Sequence, residues 1–146
     1  MNADEFLSQI QKYDTLIDNK LSERQKLWCL ATKITVPTDR EVVQTSGISD
    51  KVGNIAAKLV DLENEIDSII DEYIDIQREC IGVIDRLADV PLQYIIIHKH
   101  YVQGKAFTEI EKEEHYSYPW IIKQRDKALR RVEEILQEKM QNSKRV

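Results

Sequence analysis

The feature that most constrains how this chain can fold is a heptad seam in its central third. Ile55, Leu59, Leu62, Ile66, Ile69, Tyr73, Ile76, Cys80, Val83 and Leu87 follow one another in alternating steps of four and three without a miss. A helix under-wound to 3.5 residues per turn keeps such a seam on one side, facing a partner helix. A second apolar stripe, Ala56, Val60, Ile70, Ile74, Ile81 and Ile84, runs beside it, and the opposite flank (Lys58, Glu65, Glu72, Glu79, Arg86) is charged. One partner covers a narrow seam; two adjacent stripes ask for a bundle. The expected arrangement folds a first helix back antiparallel and adds a second protomer, with Ile55, Leu59, Leu62, Ile66, Ile69, Ile70, Tyr73, Ile74 and Ile76 as the oligomerisation surface of a homodimer or higher homo-oligomer. The alternative is the long core helix of a monomer.

The flanking segments supply the other helices. Asn2 followed three residues later by Glu5 reads as a helix start. From there Phe6, Leu7, Ile10, Tyr13, Leu16, Ile17, Leu21, Leu27, Trp28 and Ala31 recur at helical spacing, interrupted at Lys20 and Arg24. Pro37 ends that helix, because proline cannot continue it and biases Val36 toward extended backbone. Residues 35–49 read as a polar linker in which Val42-Val43 is a short pair able to dock on the helices. Asp89-Val90-Pro91 breaks the long helix, with Pro91 suited to the first turn of the next. Leu92–Val102 is then helical and closed by Gly104, Phe107–Glu114 is a short helix, and Ser117 caps a helix running to about Gln141. The core face of that last helix is Ile121, Ala128, Leu129, Val132, Ile135 and Leu136, and residues 142–146 read as a frayed tail. The chain is expected to be all-α, with a helical hairpin over residues 1–90 and a small helical unit over 91–146.

Composition excludes several other classes. With 4 Gly and 3 Pro in 146 residues there is little material for the many tight turns of a sandwich or barrel. The longest apolar run is Leu27–Ala31, too short for a membrane span. The acidic start Met1-Asn2-Ala3-Asp4-Glu5 lacks the apolar stretch of a secretory signal. Cys29 and Cys80, with no Cys-x-x-Cys spacing, read as reduced core residues, and a cytoplasmic location is expected. Residues 1–91 carry 10 Lys and Arg against 18 Asp and Glu, whereas residues 92–146 carry 11 against 8. An acidic body with a basic end predicts that a polyanion binds through the C-terminal third.

Residue patterns for catalysis or metal binding are weak. His98 and His100 stand two apart and point to different helix faces, unlike a helical metal pair. Glu63, Glu65, Asp67, Asp71, Glu72 and Asp75 lack the Glu-x-x-His spacing of a di-iron site and read as solvated flanks of the long helix. No Gly-rich phosphate loop occurs, and neither cysteine has an evident base nearby in sequence. Neither enzymatic activity nor a metal or cofactor is expected.

A short helix, a tight turn with a polar cap and a basic amphipathic helix outline a helix-turn-helix. The stretch Tyr101-Val-Gln-Gly-Lys-Ala-Phe-Thr-Glu-Ile110, then Tyr116-Ser117 and Lys127-Ala-Leu-Arg-Arg-Val132, resembles region 4 of sigma-70-type factors. Upstream, Asp39-Arg-Glu-Val-Val-Gln-Thr-Ser46 and Lys58-Leu-Val-Asp-Leu-Glu-Asn-Glu-Ile66 are similar to segments of phage and prophage transcriptional regulators of the ArpU/RinA-like type. Four positions depart from the region 4 pattern: Glu111 replaces a small residue, Glu114 an apolar one, His115 a glycine and Gln124 an apolar one.

The resemblance implies a phage- or prophage-type regulator that binds promoter double-stranded DNA in the host cytoplasm, with RNA polymerase a further candidate partner. Helical geometry with Ile121 inward puts Pro119, Lys123, Asp126 and Arg130 outward, flanked by Trp120 and Lys127. By resemblance Tyr118, Pro119, Ile122 and Lys123 occupy the positions that contact bases; by their placement Lys127, Arg130 and Arg131 are expected to neutralise phosphates, and Ser117 at the helix start to donate to one. An aromatic cluster of Tyr116, Tyr118 and Trp120 that covers the turn is the competing expectation. For the whole chain the competing expectation is a protein-interaction module, for example one docking on RNA polymerase, without DNA contacts of its own.

Overall fold

A computed structural model describes residues 1–35 and 45–144, and the side chains of residues 1–33 and 50–144. The described residues form five α-helices, one π-helical turn and no strand: α1 Ala3–Thr35, α2 Thr45–Asp85, α3 Pro91–Ile97, the wide turn His98–Val102, α4 Phe107–Glu114 and α5 Tyr118–Lys144. The protein is all-α, and α1 and α2 form the expected hairpin. Helix α2 begins at Thr45, so the expected linker of residues 35–49 is shorter than its composition implied. Pro37 and the Val42-Val43 pair lie outside the described residues.

Local chemistry accounts for the boundaries. Asn2 Oδ1 accepts the Glu5 N–H at 2.8 Å, which satisfies one of the orphan donors at the start of α1. After Asp85 the α2 backbone tightens into three-residue turns (Leu87 N–H to Ile84 C=O, 2.9 Å). Val90 is extended (φ −116°, ψ 91°) and Pro91 opens α3, where a missing N–H costs nothing. Gly104 adopts φ +74°, and the Lys105 N–H reaches back across it to the Lys99 carbonyl at 3.0 Å. A side chain at Gly104 would be strained in that conformation.

The chain divides into two compact units, and the division does not fall at residue 90. One unit joins Met1–Tyr13 to Tyr73–Val146; the other is Asp14–Glu72. In the first, the opening turns of α1 (Ala3, Phe6, Leu7, Ile10) and the end of α2 (Cys80, Val83, Ile84, Leu87) close one core with Ile97, Tyr101 and the α5 residues Ala128, Val132 and Ile135. A lone 91–146 unit would leave those α5 residues without their other wall. Burying each large aliphatic residue here contributes about 1.5–3 kcal/mol, so this wall is a large share of the unit's stability. Polar links reinforce it: the Tyr101 hydroxyl donates to Asp4 at 2.6 Å, and Gln11 Nε2 donates to the His100 carbonyl at 2.7 Å. Burial, then the Asp4 carboxylate, holds the Tyr101 phenol well above its ordinary pKa.

The second unit is a two-helix hairpin. Leu62 and Ile66 are buried, and Ile17, Leu21, Leu27, Ile55, Leu59 and Ile69 are half-buried. Lys20 pairs with Glu65 across it at 3.0 Å. The Glu65 and Glu23 carboxylates raise the Lys20 pKa, with the Glu65 hydrogen bond the largest cause. All ten heptad-seam residues are buried or half-buried. The second stripe is different: Val60 is 56% and Ile74 45% exposed, while Ile84 is fully enclosed in the first unit.

The expectation that both cysteines are core residues is corrected for Cys29, which is exposed; Cys80 is buried. Two helices cover only one seam, and Trp28, Cys29 and Leu30 fall off it despite forming an apolar run. Burial pushes the Cys80 thiol up to about 12, and its S–H points to the Phe6 carbonyl at 3.5 Å.

Candidate nucleic-acid interface

Helices α3, α4 and α5 enclose a small core of their own, made of Ile96, Ile110 and Ile121, with Leu92 and Phe107 packed on it. Each helix contributes one fully buried isoleucine, and this fixes the angle at which α4 and α5 leave the turn. The turn depends on His115, which takes the left-handed conformation (φ 61°, ψ 35°) expected of the position. Its N–H donates to the Glu111 carbonyl at 3.0 Å, closing α4. A β-carbon in that region costs roughly 1–2 kcal/mol relative to the right-handed one, a cost glycine avoids. Ser117 follows at the N-cap position of α5, and its carbonyl accepts the Ile121 N–H at 3.0 Å.

The segment entering α4 is braced by histidine. His100 Nδ1 donates to the Lys105 carbonyl at 2.8 Å, and its ring stacks on Phe107 with centroids 4.0 Å apart. His98 Nδ1 lies 3.0 Å from Gln103 Nε2. Both histidines therefore brace the turn. Among the described residues no group of His, Cys, Asp or Glu side chains is placed to hold a metal ion.

Two of the four departures from the helix-turn-helix pattern have defined partners. Glu114 pairs with Lys99 at 2.7 Å, and Lys99 also takes Glu113, which Lys105 reaches at 2.6 Å. The two lysines thus neutralise the acidic end of α4 and hold the Glu113 carboxyl below its ordinary pKa, Lys105 most strongly. Gln124 is only 7% exposed, and its Oε1 accepts from Gln93 Nε2 at 3.2 Å. Gln93 Oε1 in turn accepts from Arg131 Nη1 at 2.9 Å, and Arg131 Nη2 pairs with Asp89 at 2.5 Å. This Asp89–Arg131–Gln93–Gln124 chain ties α5 to α3, and Arg131 keeps the Asp89 carboxyl below its ordinary range. Glu111 is half-buried.

Helix α5 has two distinct sides. Ile121, Gln124, Ala128, Val132 and Ile135 are buried. Ser117, Tyr118, Pro119, Trp120, Lys123, Asp126, Lys127 and Arg130 are exposed, and Ile122 is half-buried. The outward face expected from helical geometry is therefore the exposed one. Arg131 stands apart from the other residues assigned to DNA, because its guanidinium is engaged with Asp89 and Gln93. Asp126 pairs with Arg125 at 2.8 Å, and Arg125 also lies 5.0 Å from the Phe107 ring centroid. Lys127 and Arg130 make no ion pair with another described residue. Tyr116, Tyr118 and Trp120 are exposed at 46%, 42% and 40%, and Lys123 Nζ sits 5.6 Å from the Trp120 ring centroid. The aromatic residues thus decorate the turn without being buried in it.

Gln93 and Asp89 carry a positioning role that sequence reasoning missed. The one signal for it was a lone amide within the otherwise apolar Leu92–Ile97 segment, one helical turn after an aspartate. Compared with known proteins, the chain matches no family model, no curated protein and no solved structure.

Proposed function

We propose that this chain is a DNA-binding transcriptional regulator of phage or prophage type that reads duplex DNA with the outer face of α5 and self-associates through α2. The observation that carries the reading is the exposed row Lys123, Lys127 and Arg130 on the part of α5 whose other side, from Ile121 to Ile135, is buried. Phosphate neutralisation needs free cations held in register by a rigid support, and α5 supplies both. The role is non-catalytic and needs no cofactor. Self-association rests on the exposed Val60 and Ile74 of the second α2 stripe, which the hairpin leaves uncovered. The direct test is fluorescence anisotropy of the whole protein with labelled duplex across a salt series. The reading expects log affinity to fall linearly with log salt, with a slope set by the number of phosphates neutralised. A flat dependence overturns it.

A second reading is a protein-docking module, favoured by the exposed Tyr116, Tyr118 and Trp120, residue types enriched at protein interfaces. RNA polymerase is the partner it names. Polymerase capture that survives alanine at Lys127 and Arg130, without duplex binding, supports it over the first.

A further inference from the structure

We infer that the reading end of α5 recognises thymine methyl groups in the major groove rather than a pattern of hydrogen-bonding base edges, an inference that rests on the duplex-DNA reading above. The first two turns of α5 have few hydrogen-bonding groups left to offer a base, and Lys127 and Arg130 beyond them are the cations assigned to phosphates. Gln124, the amide best suited to bidentate contact with adenine, is buried and holds Gln93. Arg125, the guanidinium nearest those turns, is folded onto Asp126 and the Phe107 ring. Arg131, further along, is bound to Asp89 and Gln93. Three side chains of the kind that discriminate bases by paired hydrogen bonds are thus already engaged.

What faces outward is Tyr118, Pro119, Trp120 and Lys123, with Ile122 at the edge. The Lys123 ammonium sits 5.6 Å from the Trp120 ring centroid, and one ammonium, one phenol and one indole N–H make a sparse hydrogen-bond code. The rest of the surface at this end is Pro119 and the rings of Tyr118 and Trp120, with the Ser117 hydroxyl at the helix start and the Asp126 carboxylate, already paired with Arg125, further along. In the major groove the one base substituent that such a surface distinguishes is the C5-methyl of thymine. Charge brings the two together: Lys127 and Arg130 lie further along the same outward face, toward the phosphates, while residues 1–91 are net acidic and repel DNA elsewhere.

The experiment uses the whole protein and duplexes it enriches from a random pool. Each enriched duplex is compared with the same duplex carrying deoxyuridine at every thymine, which removes only the C5-methyl. The expected result is a loss of roughly fourfold in affinity for each contacted methyl, the effect of one buried apolar carbon. A third duplex with 5-methylcytosine at cytosines flanking the thymines recovers part of the loss where a methyl falls within reach. Tyr118→Ala and Trp120→Ala collapse the ratio between thymine and deoxyuridine duplexes, whereas Lys127→Ala weakens both and leaves the ratio unchanged. Because the nucleotide replacement is made on unaltered protein, the outcome is independent of how any variant folds. Equal affinity for the thymine and deoxyuridine duplexes overturns this inference and leaves duplex binding standing. No salt-dependent duplex binding at all overturns the functional reading, and this inference with it.

Discussion

Gln93→Leu alone should destabilise the first unit, whereas Gln93→Leu combined with Gln124→Leu should not. Both amides are nearly fully enclosed, at 6% and 7% exposure, and joined by a single 3.2 Å hydrogen bond. Removing Gln93 leaves Gln124 Oε1 and one Arg131 N–H without the partner they have in the fold. An orphaned buried polar group costs about 1–3 kcal/mol, so the single change should lose about that much. The double change removes donor and acceptor together, substitutes apolar volume of similar size, and leaves only the part-exposed Arg131 to find water. It should therefore recover most of the loss, giving a coupling of about 1–2 kcal/mol. Urea unfolding followed by circular dichroism reads this as a midpoint shift at constant m-value. Strict additivity of the two single changes would refute the idea that this amide pair is a coupled element pinning α5 to α3.

The other expectations concern the exposed stripe, the thiols and the acid range. Ile74→Asp, at an exposed position, should abolish self-association in sedimentation while keeping helicity; Ile66→Asp, at a buried one, should instead unfold the Asp14–Glu72 hairpin by placing an unpaired charge in it, at a cost of several kcal/mol. A thiol reagent should modify one cysteine rapidly in the native protein, Cys29, and reach Cys80 only on unfolding, since that thiol is enclosed and stays protonated up to about pH 12. Asp89 and Glu113 have folded pKa values below their ordinary 3.8 and 4.5, so the stability they contribute is complete above those values and is lost as pH falls through the lower folded ones. Thermal unfolding below about pH 4.5 should show that loss, and Arg131→Ala should remove the Asp89 share of it.

Much of the architecture is legible in the sequence because it follows from periodicity. The seam from Ile55 to Leu87 is covered along its whole length, and α4 occupies the segment its flanking turn residues delimit. His115 shows how far local chemistry reaches: the position demands a left-handed residue, and histidine adopts it. What the sequence conceals is tertiary choice. Nothing in residues 1–13 announces that Ala3, Phe6, Leu7 and Ile10 complete the core beneath α5, since an apolar stripe records that a face is covered but not by what. The run Leu27–Ala31 misleads for the same reason, because composition counts apolar residues while burial depends on their direction from the axis. At the candidate site the outward face was readable from a 100° step per residue. The occupation of Arg131 was not, because Asp89 lies 42 positions away in the chain.

The central claim, that α5 holds DNA through its free outward cations, is tested most directly by the salt slope of duplex binding in three single variants of the whole protein. Lys127→Ala and Arg130→Ala should each lower the slope by about one unit, because each variant neutralises one phosphate fewer. Arg131→Ala should leave the slope nearly unchanged while lowering the unfolding midpoint, because its charge is spent on Asp89 and Gln93. A slope unaffected by Lys127→Ala and Arg130→Ala, or duplex affinity that does not respond to salt, would contradict the account.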